Sequence, residues 1–310
     1  MYRYVVQRLL QGIIVMFLVS IATFGILQAA PGSPIDTMLG EGATQLTQED
    51  YDRILEKWGL DKPWYVQYFT WLRNFATGDF GDSVVRAGVP VHEMVLEAAW
   101  PTVQLNVLAL AAAIALAIPA GMFAAIRRYS IFDSAIMVWA SAGVALPNFW
   151  VGLMLIILLA LYLGWLPPSG PGDWKHYVMP VFVLAINETA ILARLMRGAM
   201  LEVLGQDYIT TARAKGLSEI VVIVRHAVRN ALLPIITVIG LRAAFLLSGT
   251  VVVETIFAWP GIGRLFYDSV FRSDYQVVQA IVMLFTVLVI LANILTDLTY
   301  ALIDPRIRLK

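Results

Sequence analysis

The chain has 310 residues and contains no cysteine, only three histidines and few charged residues. Without cysteine it cannot build a disulfide framework, a thiol nucleophile or a Cys-ligated zinc site. The string Gly-Lys-Ser/Thr, which closes a phosphate-binding P-loop, does not occur, so any ATP hydrolysis must take place on another chain. Charged residues make up 14%, whereas soluble domains carry about a quarter. These absences exclude a soluble enzyme, and neither enzyme activity nor a bound cofactor is expected on this chain.

Apolar residues are what the sequence has in excess, at 59% of the chain and a mean hydropathy of +0.75. One core of this size cannot bury so much apolar surface, so the surplus must face lipid. A helix crosses the hydrocarbon layer with about 20 apolar residues. The sequence therefore predicts an all-α polytopic membrane protein with six transmembrane helices. They are expected at 9–35, 101–126, 134–172, 178–197, 230–253 and 275–296.

The distribution of basic residues predicts the orientation. Segments expected inside hold 13 Lys/Arg against 5 Asp/Glu, and those expected outside hold 8 against 14. The inside segments are 1–8, 127–133, 194–229 and 302–310, and the outside segments are 31–100, 167–177 and 256–276. Because cytoplasmic loops carry the excess of Lys and Arg, both termini are placed in the cytoplasm.

Three parts follow along the chain. Residues 1–30 form the first transmembrane helix, since the apolar run is too long for a cleaved signal peptide. Residues 31–100 form an extracytoplasmic insert, and residues 101–310 carry the other five helices with short cytoplasmic helices at about 203–230. The insert is expected to be helical and to lie on the outer membrane surface.

Two patterns predict helices in the insert. Thr47 and Asp50 have the spacing of a capping box, which marks a helix start. Trp64, Tyr68 and Trp71 then recur at roughly helical spacing, and aromatic side chains favour the headgroup level of a membrane. Two or three short helices are expected.

Polar residues within the predicted spans need a separate reason, because a charge at the bilayer centre costs roughly 2.5–3.5 kcal/mol on insertion scales. Glu188 and Arg242 lie about midway through the fourth and fifth spans. They either line a substrate route or form a structural ion pair, and burial explains both. Gly240, Ala244 and Ser248 follow at intervals of four, a small-residue face that lets helices approach closely.

The segment between the fourth and fifth spans reads as two short helices joined by a turn. Asp207 is predicted to cap the first helix, Arg213 and Lys215 suit its C-terminal end, and Gly216 provides a left-handed stop. Ser218 is predicted to cap the second helix, which ends before the fifth span. Its predicted apolar stripe is Ile220, Val221, Ile223, Val224, Ala227 and Val228. These residues alone do not decide whether the segment is a rigid protrusion that docks into a partner or an ordinary amphipathic connector.

Residues 210–216, Thr-Thr-Ala-Arg-Ala-Lys-Gly, resemble the EAA loop of ABC importer permeases, the segment that docks into the ATPase subunit. Two features depart from the general pattern: Thr210 and Thr211 stand where Glu and Ala are common, and Pro234 follows Gly216 at a longer spacing. Both departures are similar to the dipeptide/oligopeptide branch, as is the continuation Arg-His-Ala-Val-Arg-Asn-Ala-Leu-Leu-Pro at 225–234.

The resemblance extends along nearly the whole chain. Matching segments lie at 60–63, 78–83, 131–134, 147–150, 254–263, 274–279 and 304–306. It implies the type I permease fold and a permease subunit of a dipeptide/oligopeptide ABC importer, working by alternating access in a bacterial or archaeal cytoplasmic membrane. The implied partners are a second, similar permease, two ATP-binding subunits that carry ATP and Mg, and an extracytoplasmic binding protein.

The resemblance also implies which residues couple the permease to the ATPase. They are Asp207, Thr211, Ala212, Arg213, Ala214, Lys215 and Gly216. Glu188, Arg242 and Ser248 are candidates for the translocation path or an intramembrane pair. Two alternatives stay open: a self-sufficient secondary transporter or channel, and an ABC permease for nickel, glutathione or another small solute.

Overall fold

The computed structural model describes residues 2–29, 49, 53, 61–86 and 88–303. Within these ranges all regular elements are helices, apart from an isolated antiparallel bridge between Asp82 and Pro90. In chain order the helices are α1 (Tyr2–Ala29), α2 (Trp64–Ala76), α3 (Val91–Ile126), α4 (Ile131–Ala145), α5 (Asn148–Leu155, continued by a π-helical stretch Ile156–Tyr162), α6 (Trp174–Leu204), α7 (Asp207–Ala214), α8 (Glu219–Val221, a π-helical stretch Val222–Val228 and Arg229–Ile256), α9 (Ile262–Phe271) and α10 (Tyr275–Ile303).

Several helices are long and apolar enough to cross a membrane. In the described part of the chain four qualify alone, the pair α4 and α5 qualifies together, and a shorter apolar stretch lies within α10. The four are Val6–Ala29, Val91–Ile126, Trp174–Leu204 and Glu219–Gly240. On α1 the large side chains of Leu10, Ile14 and Leu18 are more than half exposed, as expected for a surface that contacts lipid.

The predicted third span, 134–172, contains a sharp break. Helices α4 and α5 are bent by 103° at the junction of Leu146 and Pro147. Leu146 is extended because the proline ring disfavours helical geometry in the preceding residue, and Pro147 opens α5 with no N–H to satisfy. The second of the two short helices was predicted to end before the fifth span, but Pro234 lies inside α8 and the helix continues from Glu219 to Ile256.

By its contacts the chain divides into two compact units, Met1–Pro101 with Pro260–Ile294 and Thr102–Trp259 with Leu295–Lys310. In the first unit, α2 confirms the helix predicted from its aromatic spacing. Tyr68 is buried, its hydroxyl lies 2.9 Å from Ser20 Oγ of α1, and its ring meets Phe24 edge to face. The predicted capping pair Thr47 and Asp50 lies outside the described residues.

The first unit also has a core where α3 meets α9 and α10. Helix α3 begins at Val91, before the apolar run that starts at Pro101, and Val91 and Met94 pack with Ile262 and Ile281. Apolar burial of this kind, about 25 cal/mol per Å², is the main favourable contribution to such a core.

Asp274 fastens the start of α10 to the loop before α3. Its carboxylate accepts the Ser83 hydroxyl at 2.5 Å and the Val84 N–H at 3.2 Å, and the side chain is almost fully buried. Ser83 Oγ in turn accepts the Arg86 N–H at 2.8 Å. Two of the sequence segments that carry the family resemblance, 78–83 and 274–279, are therefore in direct contact.

In the second unit, α6 is the central helix. One core cluster joins Leu105 of α3, Val151 of α5 and Met179 of α6 to Phe257 and Trp259 at the end of α8. A second cluster gathers around the other half of α6. Its fully or nearly fully buried members are Ala117, Ala125, Leu192, Ala193, Met196, Met200, Ile209, Ala212, Val222, Ala227, Ala231 and Ile235. This second cluster holds the short helix α7 in place.

Candidate functional site

Helix α7 and the turn after it lie where the sequence predicted them, with one difference at the start. Gln206, not Asp207, occupies the N-cap position, and its side chain makes no capping hydrogen bond. Asp207 is the first helical residue, where a carboxylate still interacts favourably with the positive end of the helix.

One face of α7 is used by the chain itself. Ile209 and Ala212 are buried against Met196 and Met200 of α6 and Val222 of α8. Ala212 was assigned to the ATPase contact by resemblance, and in the structure its side chain is 6% exposed and lies in this chain's own core. The other residues of α7 and the turn are exposed: Asp207, Tyr208, Thr210, Thr211, Arg213, Ala214, Lys215 and Gly216.

The turn after α7 has the left-handed geometry that glycine allows. Gly216 has φ +78°, and a Cβ there would meet no atom within 4 Å, so only the backbone conformation restricts this position. Arg213 bridges the turn to Glu219 with hydrogen bonds of 3.1 Å from Nε and 2.7 Å from Nη2. Hydrogen bonding to the Glu219 carboxylate raises the pKa of Arg213 above its ordinary value.

The buried face of α8 differs from the predicted apolar stripe. The helix begins after Ser218, whose side chain makes no capping hydrogen bond. Ile220 and Val224 are 76% and 59% exposed, whereas Val222, outside the predicted stripe, is fully buried. Buried residues recur at Val222, Ala227, Ala231 and Ile235, so the first interval is five and the later ones are four. The interval of five coincides with the π-helical stretch, in which bonds run i to i+5.

Asn230 ties α7 to α8. Its side-chain amide donates to the Tyr208 hydroxyl at 3.0 Å and to the His226 carbonyl at 2.8 Å. Together with the buried pair Ile209 and Ala212, this contact makes α7, the turn and the start of α8 one packed substructure.

The two charged residues within the predicted spans are in contact. Arg242 Nε donates to Glu188 Oε2 at 2.9 Å, joining α8 to α6, and the side chains are 25% and 9% exposed. The third candidate, Ser248, lies in α8, but its side chain is outside the described residues. A Cβ built at Gly240 would meet no described atom within 4 Å, so the small-residue face makes no close helix contact there.

A second buried ion pair was not singled out from the sequence. Arg197 of α6 binds Asp133 of α4 through both Nε, at 2.5 Å, and Nη2, at 2.7 Å. The same carboxylate accepts the Tyr129 N–H at 2.9 Å, where the backbone has φ +62°. In the sequence both charges stand near span ends, where a solvated loop charge is the ordinary reading.

Among the described residues, no group of three or more His, Asp or Glu side chains converges. The described geometry presents a packed helical turn around Gly216 and a polar contact between two apolar helices.

Comparisons with known proteins identify the family. Residues 117–309 match the binding-protein-dependent transport system inner membrane component family, and residues 1–103 match the N-terminal region of such membrane components. The chain is 43% identical over 99% of its length, and 99% of the relative's, to the oligopeptide transport system permease protein AppB of Bacillus subtilis. It is 39% identical over the full length of both chains to the glutathione transport system permease protein GsiC of Escherichia coli.

Solved structures share the fold at low sequence identity. An amino acid ABC transporter aligns with a TM-score of 0.51 and 18% identity, covering 67% of this chain and 93% of that one. The MetNI methionine ABC transporter, in an inward-facing conformation, aligns with a TM-score of 0.56 and 17% identity, covering 69% and 97%. The chain belongs to the family of binding-protein-dependent transport system inner membrane components.

Proposed function

We propose that the chain is a transmembrane subunit of an ATP-driven ABC importer that carries peptides across the cytoplasmic membrane. The observation that carries this proposal is the 43% identity to an oligopeptide permease over 99% of both chains. The relative named for glutathione fits the same class of cargo, because glutathione is itself a small peptide with free carboxylates.

The proposed topology has six transmembrane helices with both termini in the cytoplasm. Residues 1–30 form the first helix, 31–100 the extracytoplasmic insert and 101–310 the permease core. The asymmetry of Lys and Arg between the two sets of loops supports this orientation. Helices occur along each of the six apolar stretches of the sequence, which supports the count.

The proposed complex contains a second, similar permease, two ATP-binding subunits and an extracytoplasmic binding protein. ATP and Mg bind to the ATPase subunits, and this chain contributes no catalytic residue. Membership of a binding-protein-dependent family supports the last two kinds of partner. Pairing with a different permease chain follows from the resemblance to the dipeptide/oligopeptide branch.

Coupling is proposed to run through α7 and its turn. The ATPase subunit would contact the outer face of α7, which is formed by Asp207, Thr211, Arg213, Ala214 and Lys215. Gly216 would set the shape of the turn. Ala212 contributes from inside, by seating α7 on the core. Closure of the ATPase dimer on ATP then moves this packed substructure and opens the permease pair outward. Glu188, Arg242 and Ser248 are proposed to lie along the peptide route.

Co-expression tests the proposal. The tagged chain, co-expressed with candidate ATPase subunits, should co-purify with them, and the reconstituted complex should hydrolyse ATP faster when a peptide-loaded binding protein is added. Peptide uptake should require ATP and stop when the ATPase subunits are left out. Uptake by this chain in their absence would instead identify a secondary transporter or channel.

A further inference from the structure

The two buried ion pairs of the second unit differ in the number of hydrogen bonds between arginine and carboxylate. Arg197 uses two nitrogens on Asp133, and both oxygens of that carboxylate are occupied. Arg242 uses only Nε, and Glu188 accepts through only one oxygen, among the described residues. The two arginine side chains are equally exposed, at 24% and 25%, so burial does not explain the difference.

The unused donors of Arg242 are chemically significant. A guanidinium has five N–H groups in a rigid fork, and its Nη1–Nη2 edge matches a carboxylate with two parallel hydrogen bonds. Glu188 holds the opposite side at Nε and so leaves that edge open. Within a membrane-spanning segment such donors need a partner or water, because lipid offers no acceptor.

These donors are also reachable. The Arg242 side chain is 25% exposed, and its hydrogen bond to Glu188 engages Nε. A group that approaches the exposed part of the guanidinium can therefore contact it without first breaking the bond to Glu188.

We propose that Arg242 binds the terminal carboxylate of the transported peptide through its Nη1–Nη2 edge, with Glu188 as the positioning residue that orients the guanidinium. The inference rests on the proposed peptide import. The pair of Arg242 and Glu188, which is joined by one hydrogen bond, would therefore bind a ligand. The pair of Arg197 and Asp133, which is joined by two, would have only a structural role.

The test compares equilibrium binding of fluorescent tri-alanine with that of its C-terminal amide. Both are measured on the complete permease–ATPase complex without the binding protein, so that the binding protein's own selectivity does not enter. The wild-type complex should bind the free acid about ten- to a hundredfold more tightly, the range of one charge-assisted contact. Arg242→Gln should reduce this ratio to near one.

Two further variants complete the design. Arg197→Gln is the matched control and should retain the wild-type ratio even where it lowers the yield of complex. Arg242→Lys keeps the charge and serves where the glutamine variant does not assemble. Its ratio should fall below that of the wild type, because an ammonium cannot form the two parallel bonds.

The outcomes distinguish a failure of the role of Arg242 from a failure of the proposed peptide import. A wild-type complex that takes up tri-alanine but binds acid and amide equally overturns the role of Arg242 and leaves peptide import standing. A ratio that persists in Arg242→Gln does the same and points to another carboxylate-binding group. Absence of any ATP-dependent peptide uptake by the wild-type complex removes the proposed function itself.

Discussion

At the scale of single residues, Gly121 marks a close approach of two helices in the second unit. A Cβ built there would lie 2.5 Å from the Ala193 carbonyl oxygen and 2.7 Å from Met196 Cβ, so the backbones of α3 and α6 leave no room for a side chain. The sequence placed the close contact instead at the small-residue face that begins with Gly240. The sequence shows that small residues recur on one face of a helix, but it does not show which helix that face contacts.

Gly121→Ala is therefore expected to destabilise the protein by about 1–3 kcal/mol, the usual cost of forcing an extra carbon into a packed site. The measurement is the fraction of detergent-solubilised protein that stays monodisperse after heating. Gly240→Ala is the matched control and should have little effect, because its Cβ meets no described atom within 4 Å. Equal losses in both variants would mean that crowding at Gly121 is not the cause.

The polar residues were predictable to different degrees. Glu188 and Arg242 could be suggested as partners because each interrupts a long apolar run at similar depth. Asp133 and Arg197 could not, because charges close to span ends normally meet water. The burial of Ala212 was also hidden, since a small residue suits a partner's groove and the chain's own core equally well.

At the scale of elements, the sequence gives the right positions for α2 and α7 because aromatic spacing and a terminal glycine are local signals. The predicted apolar stripe of α8 was wrong at Ile220 and Val224, which are exposed, and it missed the buried Val222, whereas Ala227 is buried as predicted. One π-helical stretch shifts the phase of all the residues that follow it. Pro147 explains why the helix breaks at this point, but the size of the bend, 103°, depends on packing that the sequence does not display.

The turn at Gly216 carries the second prediction. Gly216→Val should leave membrane insertion intact but abolish peptide-stimulated ATP hydrolysis, since a β-branched residue is strongly strained at φ +78°. Gly216→Asn is the control: asparagine tolerates left-handed geometry, and no atom within 4 Å opposes a side chain. Stimulated ATP hydrolysis in reconstituted complexes is the measurement. If valine and asparagine behave alike, the left-handed turn is not what coupling requires.

The third prediction concerns the contact between Asp274 and the loop before α3. Asp274→Asn replaces an acceptor oxygen with a donor opposite Ser83 and the Val84 N–H, and should cost about 1–3 kcal/mol. Limited proteolysis should then cut the 77–90 segment faster.

Asp268→Asn is the comparison for that experiment. Its carboxylate is about half exposed and lies 3.8 Å from Arg264, so its loss should leave the cleavage rate unchanged. An unchanged rate in Asp274→Asn as well would show that this carboxylate does not hold the loop.

At the scale of the whole molecule, the absence of cysteine makes orientation directly measurable. In intact cells, a cysteine at Thr77, exposed after α2, should react with an impermeant thiol reagent added from outside. A cysteine at Lys215, exposed after α7, should react only after the membrane is permeabilised. The opposite labelling pattern would reverse the proposed topology.

The continuity of α8 has a mechanical consequence. At about 1.5 Å per residue, the helix from Glu219 to Ile256 is a rod roughly 57 Å long. Near its start, Val222 and Ala227 share a buried apolar cluster with α7. Arg242, which contacts Glu188, lies farther along the same helix. Under the proposed coupling, a movement of the turn would be carried to Arg242 along one continuous helix. Binding of the peptide carboxylate and the movement driven by ATP would then act on the same helix.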